Sequence, residues 1–121
     1  EGAGESDELE SEDLSGVNFV LKKLSGIPGK ELPSLIDGYK QKLSKGVILL
    51  ISENDGKVAI ASGVTSDLLP SVSAVDVVKE VAAKLGGKGG GGRPDLAQAG
   101  GSSIEGMASA IDAVKSLIIS R

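Results

Sequence analysis

Residues Gly86 to Gly101 read GGKGGGGRPDLAQAGG, and eight of those sixteen positions are glycine. A compact domain can hold such a stretch in few ways. It can be a flexible linker, a phosphate cradle, or a place where another backbone or a ligand comes close. The flanking sequence narrows the choice.

Both flanks are patterned. Upstream, Ser73 and Asp76 resemble a capping box. Val75, Val78, Val81, Ala82 and Leu85 then fall on one helical face, which stops at Gly86-Gly87. Downstream, DLAQAGG reads as a short extended segment. Ser102 and Glu105 form an S-x-x-E box before a final helix carrying Ile104, Met107, Ala108, Ile111, Val114 and Ile118.

Nearer the start, Val17–Leu24 alternates like a half-buried strand, with Val17, Phe19 and Leu21 on one face. Gly26, Pro28 and Gly29 mark a turn. Leu32, Leu35, Ile36, Tyr39 and Leu43 predict a helix over 31–44, ended by Gly46. Val47–Ile51, VILLI, suits a strand covered on both faces. Asp55-Gly56 turns the chain into a return strand, Val58–Val64, whose end Gly63 is expected to weaken. The order is strand, helix, strand, strand, helix, short strand, helix. It implies a single-domain α/β fold: a mixed β-sheet with helices packed on it, the first crossover being parallel.

Gly87, Gly89 and Gly92 fit the letters G-x-G-x-x-G. A dinucleotide site needs a strand before that motif and a helix after it, so that phosphate meets the positive helix N-terminus. Here a helix precedes and Pro94 follows. A helix C-terminus repels phosphate. No Gly-Lys-Ser/Thr of a P-loop occurs. Local chemistry leaves three readings: a structural loop, a linker, or an anion or RNA contact made by peptide N–H groups flanked by Lys88 and Arg93.

The chain has no Cys and no His. This argues against disulfides, thiol catalysis, zinc sites and His-based proton transfer. No cofactor and no metal site are expected. Phe19 and Tyr39 are its only aromatics, which disfavours stacking of single-stranded bases on aromatic platforms. The net charge of −4 is unevenly spread. Residues 1–13, EGAGESDELESED, hold seven acids and no base and read as an acidic flexible tail or linker. The other ten acids against all 13 Lys and Arg leave the globular unit, 14–121, at +3. A mildly basic body permits an anionic partner. No apolar run approaches the roughly 20 residues of a membrane span, and no leader pattern is seen. The first residue is not Met, so a piece of a longer protein is expected, with the cytoplasm as its compartment.

The glycine stretch resembles the signature of the DHH-associated domain found at the C-terminus of alanyl-tRNA synthetases. That signature is two glycines, a basic residue, several glycines, Arg-Pro, two variable residues and Ala-Gln-Ala-Gly-Gly. Gly86–Gly92, Arg93, Pro94 and Ala97–Gly101 match it. The resemblance spans about Val17 to Arg121 and is specific in the loop. It implies a non-catalytic tRNA-binding module of an alanine–tRNA ligase, gripping the outer corner of the alanine-specific tRNA and coupling aminoacylation with editing. Partners would be that tRNA, the rest of the synthetase chain and, on another reading, a second copy. The expected RNA-binding residues are Lys88, Gly89, Gly90, Gly91, Gly92, Arg93 and Gln98. For Gln98, a bond to the loop backbone is the competing role; for Arg93, a tie to loop carbonyls. Lys22, Lys23, Lys40, Lys42 and Lys45 are expected to face solvent. Two alternatives stand beside this: an accessory domain of a DHH-type phosphoesterase and an oligomerisation module. The phosphoesterase branch carries a His where this chain has Arg93.

Overall fold

The computed structural model describes residues 10–14, 16–41, 45–54, 56–68, 72–87, 90–102 and 106–119. Its strands are β1 (Glu10–Leu14), β2 (Val17–Ser25), β3 (Gly46–Asn54), β4 (Lys57–Val64), β5 (Gly91–Arg93) and β6 (Leu96–Gly101). Its helices are α1 (Leu32–Lys40), α2 (Ala74–Lys84) and α3 (Met107–Ile119), with 3-10 turns at Gly29–Glu31 and Ser66–Leu68. The strands form one sheet in the order β1-β2-β3-β4-β6-β5. Only β2 and β3, joined through α1, run parallel. The mixed sheet with helices on it agrees with the sequence pattern.

Val47–Ile51 is completely buried because both faces of β3 are covered. Val47, Leu49 and Ile51 join Phe19, Ile60, Val78 and Val114 in a core between the sheet and α2 and α3. Ile48 and Leu50 point the other way, into a smaller core with Val20, Ala61 and the α1 residues Leu32 and Ile36. Each such aliphatic contributes about 1.5–3 kcal/mol. Leu35, expected on the α1 face, is exposed at its margin. Leu43 lies outside the described residues.

Gly63 stays paired with Ile48 inside β4. It admits α1, since a Cβ there would collide with Ile36. Ser73 caps α2 by accepting the Val75 N–H at 3.2 Å. The buried face of α2 holds Ala74 and Val77 as well as Val78, Val81 and Ala82, while Val75 is half-buried. Gly86, at φ 75°, and the Gly87 N–H bonded to the Ala82 carbonyl at 2.8 Å close it in a Schellman motif. In α3, Ala110, Val114 and Ile118 are buried, Met107 and Ile111 half-buried, and Ala108 exposed. Ile104 and Glu105 of the expected capping box lie outside the described residues.

The boundary drawn after residue 13 needs correction. Glu10–Asp13 belong to β1, which pairs antiparallel with β2 from Glu10↔Leu21 to Leu14↔Val17. Leu14 anchors the strand in the core, and the Asp13 carboxylate accepts the Gly16 N–H at 2.9 Å to close the turn. An edge strand tolerates charge, which blunts pairing with other chains, so acidity did not exclude it. Residues 1–9 of the expected tail lie outside the described residues.

Candidate nucleic-acid interface

The glycine stretch builds the last two strands of the sheet. Most of its glycines answer to packing. A Cβ on Gly87 would strike the Gly100 carbonyl, and one on Gly90 the Gln98 carbonyl. One on Gly92 would lie 2.6 Å from the Leu96 carbonyl oxygen. Gly101 abuts Leu85 at the end of α2. Gly91 and Gly100 differ: a Cβ on Gly91 meets nothing within 4 Å, and one on Gly100 only a carbonyl at 3.7 Å.

Register puts these two on the same side. Gly91 pairs with Gln98 and Gly100 lies two residues further along β6, so all three share a face. The neighbouring residue of β4 on that face is Ala59, opposite Gly100. α1 covers β3 and β4 there but leaves β5 exposed. The result is an exposed strip of nearly bare backbone around Gly91 and Gly100 at the sheet's edge, beside Ala59 and Gln98, on which the Gly29 turn packs.

Gln98 anchors that area rather than projecting from it. Its amide nitrogen donates to the Gly29 carbonyl at 2.6 Å and ties β6 to the turn before α1. This is the backbone role weighed against RNA contact. Arg93 shares the face and ends β5. Its side chain is 71% exposed, and its described partner is the Asp95 carboxylate, 3.5 Å from Nε. No tie to loop carbonyls is seen among the described residues. Lys88 and Gly89 lie outside the described residues.

Sequence reasoning missed Asp95 and Lys40. Lys40 is not free in solvent; it bonds the Asp95 carbonyl at 2.6 Å. Lys22 is likewise buried in β2, whereas Lys23 and Lys45 are exposed; Lys42 lies outside the described residues. Only the pairing of distant segments could reveal these assignments.

An open groove beside the hairpin turn is lined by Asp37, Lys40, Thr65, Asp67 and Asp95. Three carboxylates make it a poor phosphate site. Asp67 has a structural task there. It accepts the Thr65 hydroxyl at 2.5 Å and the Lys45 N–H at 3.1 Å, holding Lys45 at φ 47°. The Thr65 bond, then the Lys45 backbone bond, keep its carboxyl below the usual range. Among the described residues, no group of three His, Cys, Asp or Glu could hold a metal, and no helix is long and apolar enough to cross a membrane.

The chain is similar to known proteins in sequence and, separately, in fold. The chain is 50% identical over 117 residues to an alanine–tRNA ligase of Ruegeria sp. strain TM1040, and 53% over 109 residues to one of Dinoroseobacter shibae. These alignments cover 97% and 90% of this chain but only 13% and 12% of those proteins. The fold matches the crystal structure of the C-Ala domain of Aquifex aeolicus alanyl-tRNA synthetase. The TM-score is 0.85 at 29% identity, over 92% of this chain and 99% of that one. A solved DHH-domain protein, a member of a family of ribosomal proteins, shares the fold at TM-score 0.59 and 18% identity, over 92% of this chain and 28% of its own. The DHHA1 domain model matches residues 16–120, almost everything the sheet and helices comprise, and the chain belongs to that family.

Proposed function

We propose that this chain is the tRNA-binding module of an alanyl-tRNA synthetase and grips the outer corner of the tRNA through the open face of the β5–β6 hairpin. One observation carries the reading. The two hairpin glycines that packing does not require, Gly91 and Gly100, lie on the open face that also bears the exposed Arg93. Bare backbone admits a close approach by ribose and phosphate, and an edge strand offers unpaired N–H groups. Folded RNA is recognised through such shape and backbone contacts. Arg93 adds a fork that can pair with phosphate or stack on a base. Lys88, in the same glycine run, adds a second charge.

On this reading the module performs no chemistry and needs no cofactor. It holds one tRNA while the rest of a cytoplasmic synthetase aminoacylates and edits it. The similarity to segments of two alanine–tRNA ligases supports that parent.

Binding of alanine tRNA by folded variants tests the proposal. Arg93→Ala and Gly91→Val should each weaken binding by about 1–3 kcal/mol with melting unchanged. If Lys88 meets a phosphate, Lys88→Ala should lower the salt slope by roughly one unit or somewhat less. Wild-type affinity in all three variants would end the assignment of this face to tRNA.

A further inference from the structure

The turn that ends β5 is fixed from three sides. Its Pro94 carbonyl accepts the Ala74 N–H at the start of α2 at 2.7 Å, and its Asp95 carbonyl accepts the Val64 N–H at the end of β4 at 3.0 Å. The third tie comes from α1. Lys40 Nζ donates to the same Asp95 carbonyl at 2.6 Å. Lys40 gets there by crossing β4 above Gly63, where a Cβ would stand 2.9 Å from Lys40 Cε. The ammonium also lies 3.6 Å from the Asp95 carboxylate.

That carboxylate has two cationic neighbours, and they are not equivalent. Lys40 is 19% exposed and carries the backbone bond as well. Arg93 is 71% exposed and touches the other carboxylate oxygen at 3.5 Å. Both carboxylate contacts are long, but the exposed Arg93 pair is screened by solvent, whereas the part-buried Lys40 ammonium is pinned beside the carboxylate by its charge-assisted bond to the Asp95 carbonyl. Lys40 is thus the less screened of the two charges beside Asp95, while the Arg93 contact stays long and open to solvent.

We propose that Lys40 is a positioning residue for Arg93: by occupying Asp95 it prevents the guanidinium from closing onto that carboxylate and leaves it presented at the end of β5 for an RNA phosphate. The proposal rests on the hairpin face being the tRNA contact. Without Lys40, Asp95 and Arg93 become a closed pair, and RNA must break it before Arg93 can bind.

Lys40→Met keeps the aliphatic stem over Gly63 and removes the ammonium. It should weaken tRNA binding about tenfold, the size of one charged hydrogen bond. The loss should vanish in an Arg93→Ala background, the coupling expected of linked residues. It should also be rescued by Asp95→Asn, whose neutral amide holds the guanidinium far less tightly than a carboxylate does. An equal loss in both backgrounds would mean that Lys40 touches RNA itself and would overturn the proposal. NMR of the free protein reads the competition without RNA. The Arg93 Hε signal should shift and exchange more slowly with water in Lys40→Met; an unchanged signal would overturn the proposal. A changed signal with wild-type tRNA binding in both Lys40→Met and Arg93→Ala supports the competition and refutes the hairpin face instead. Should Lys40→Met not fold, Asp95→Asn alone serves. It should bind tRNA at least as well as wild type, and weaker binding would overturn the proposal.

Discussion

At the scale of single residues, glycines that look alike in the sequence have different tasks. Gly90 and Gly91 are neighbours in a run of four, yet a side chain on the first would enter the Gln98 carbonyl and one on the second would enter solvent. Gly90→Val should cost about 3 kcal/mol or more, because backbone cannot yield as a flexible side chain does. Gly91→Val should leave melting near wild type. Similar melting temperatures for the two would show that β5 does not pack on β6 as described. Ser62 poses the opposite case. Its hydroxyl is buried opposite Leu49 and Ala97 and makes no hydrogen bond among the described residues. An orphaned hydroxyl costs about 1–3 kcal/mol, so Ser62→Ala should leave stability unchanged or raise it. Chemical denaturation of Ser62→Ala checks this, and a marked loss would reveal a partner.

At the scale of elements, the junction between α1 and β3 depends on a charge. The Asp67 carboxylate receives the Lys45 N–H and the Thr65 hydroxyl, and the same hydroxyl accepts the Gly46 N–H at 2.9 Å. Folding therefore favours the ionised form and depresses the pKa from its ordinary 3.8. A depressed carboxylate stabilises the fold fully above that ordinary value, and the contribution fades as pH falls through the lower folded value. Asp67→Asn should melt below wild type near neutral pH, and the gap should narrow on acidification below about pH 4. The contribution is modest because the group is exposed to solvent. A gap that stays constant with pH would show that the charge is not what holds Lys45. The junction also sets the end of β4, from which Val64 reaches the hairpin turn.

At the scale of the whole molecule, the acidic and glycine-rich parts sit on opposite edges of the sheet. β1 and β5 are five strand spacings apart, about 24 Å, against a Debye length of about 8 Å. Neutralising Glu10, Glu12 and Asp13 should therefore change tRNA affinity by less than about twofold at physiological salt. A large gain would place the tRNA near β1. Removing residues 1–14 is another matter. It strips an edge strand and exposes core beneath Leu14, so stability should fall by at least about 2 kcal/mol in a denaturant titration. Much of this architecture was legible in one dimension. A fully apolar VILLI demands cover on both faces, and local periodicity located α2 and α3, because burial of one face is written into every third or fourth residue. The Gly-Arg-Pro signature marked the family. What local pattern could not express was contact between distant segments. Whether Glu10–Asp13 pairs or floats depends on a free edge of β2, not on its own polarity. Whether a glycine is required depends on which carbonyl faces it across the hairpin. And Lys40 meets Asp95 across 55 residues only because Gly63 lets α1 lie close to β4. The order of residues was enough to specify the elements and the family signature. Packing in three dimensions settled which charges are engaged by the fold and which remain outward, since Coulomb and hydrogen-bond energies follow distance in space rather than separation along the chain.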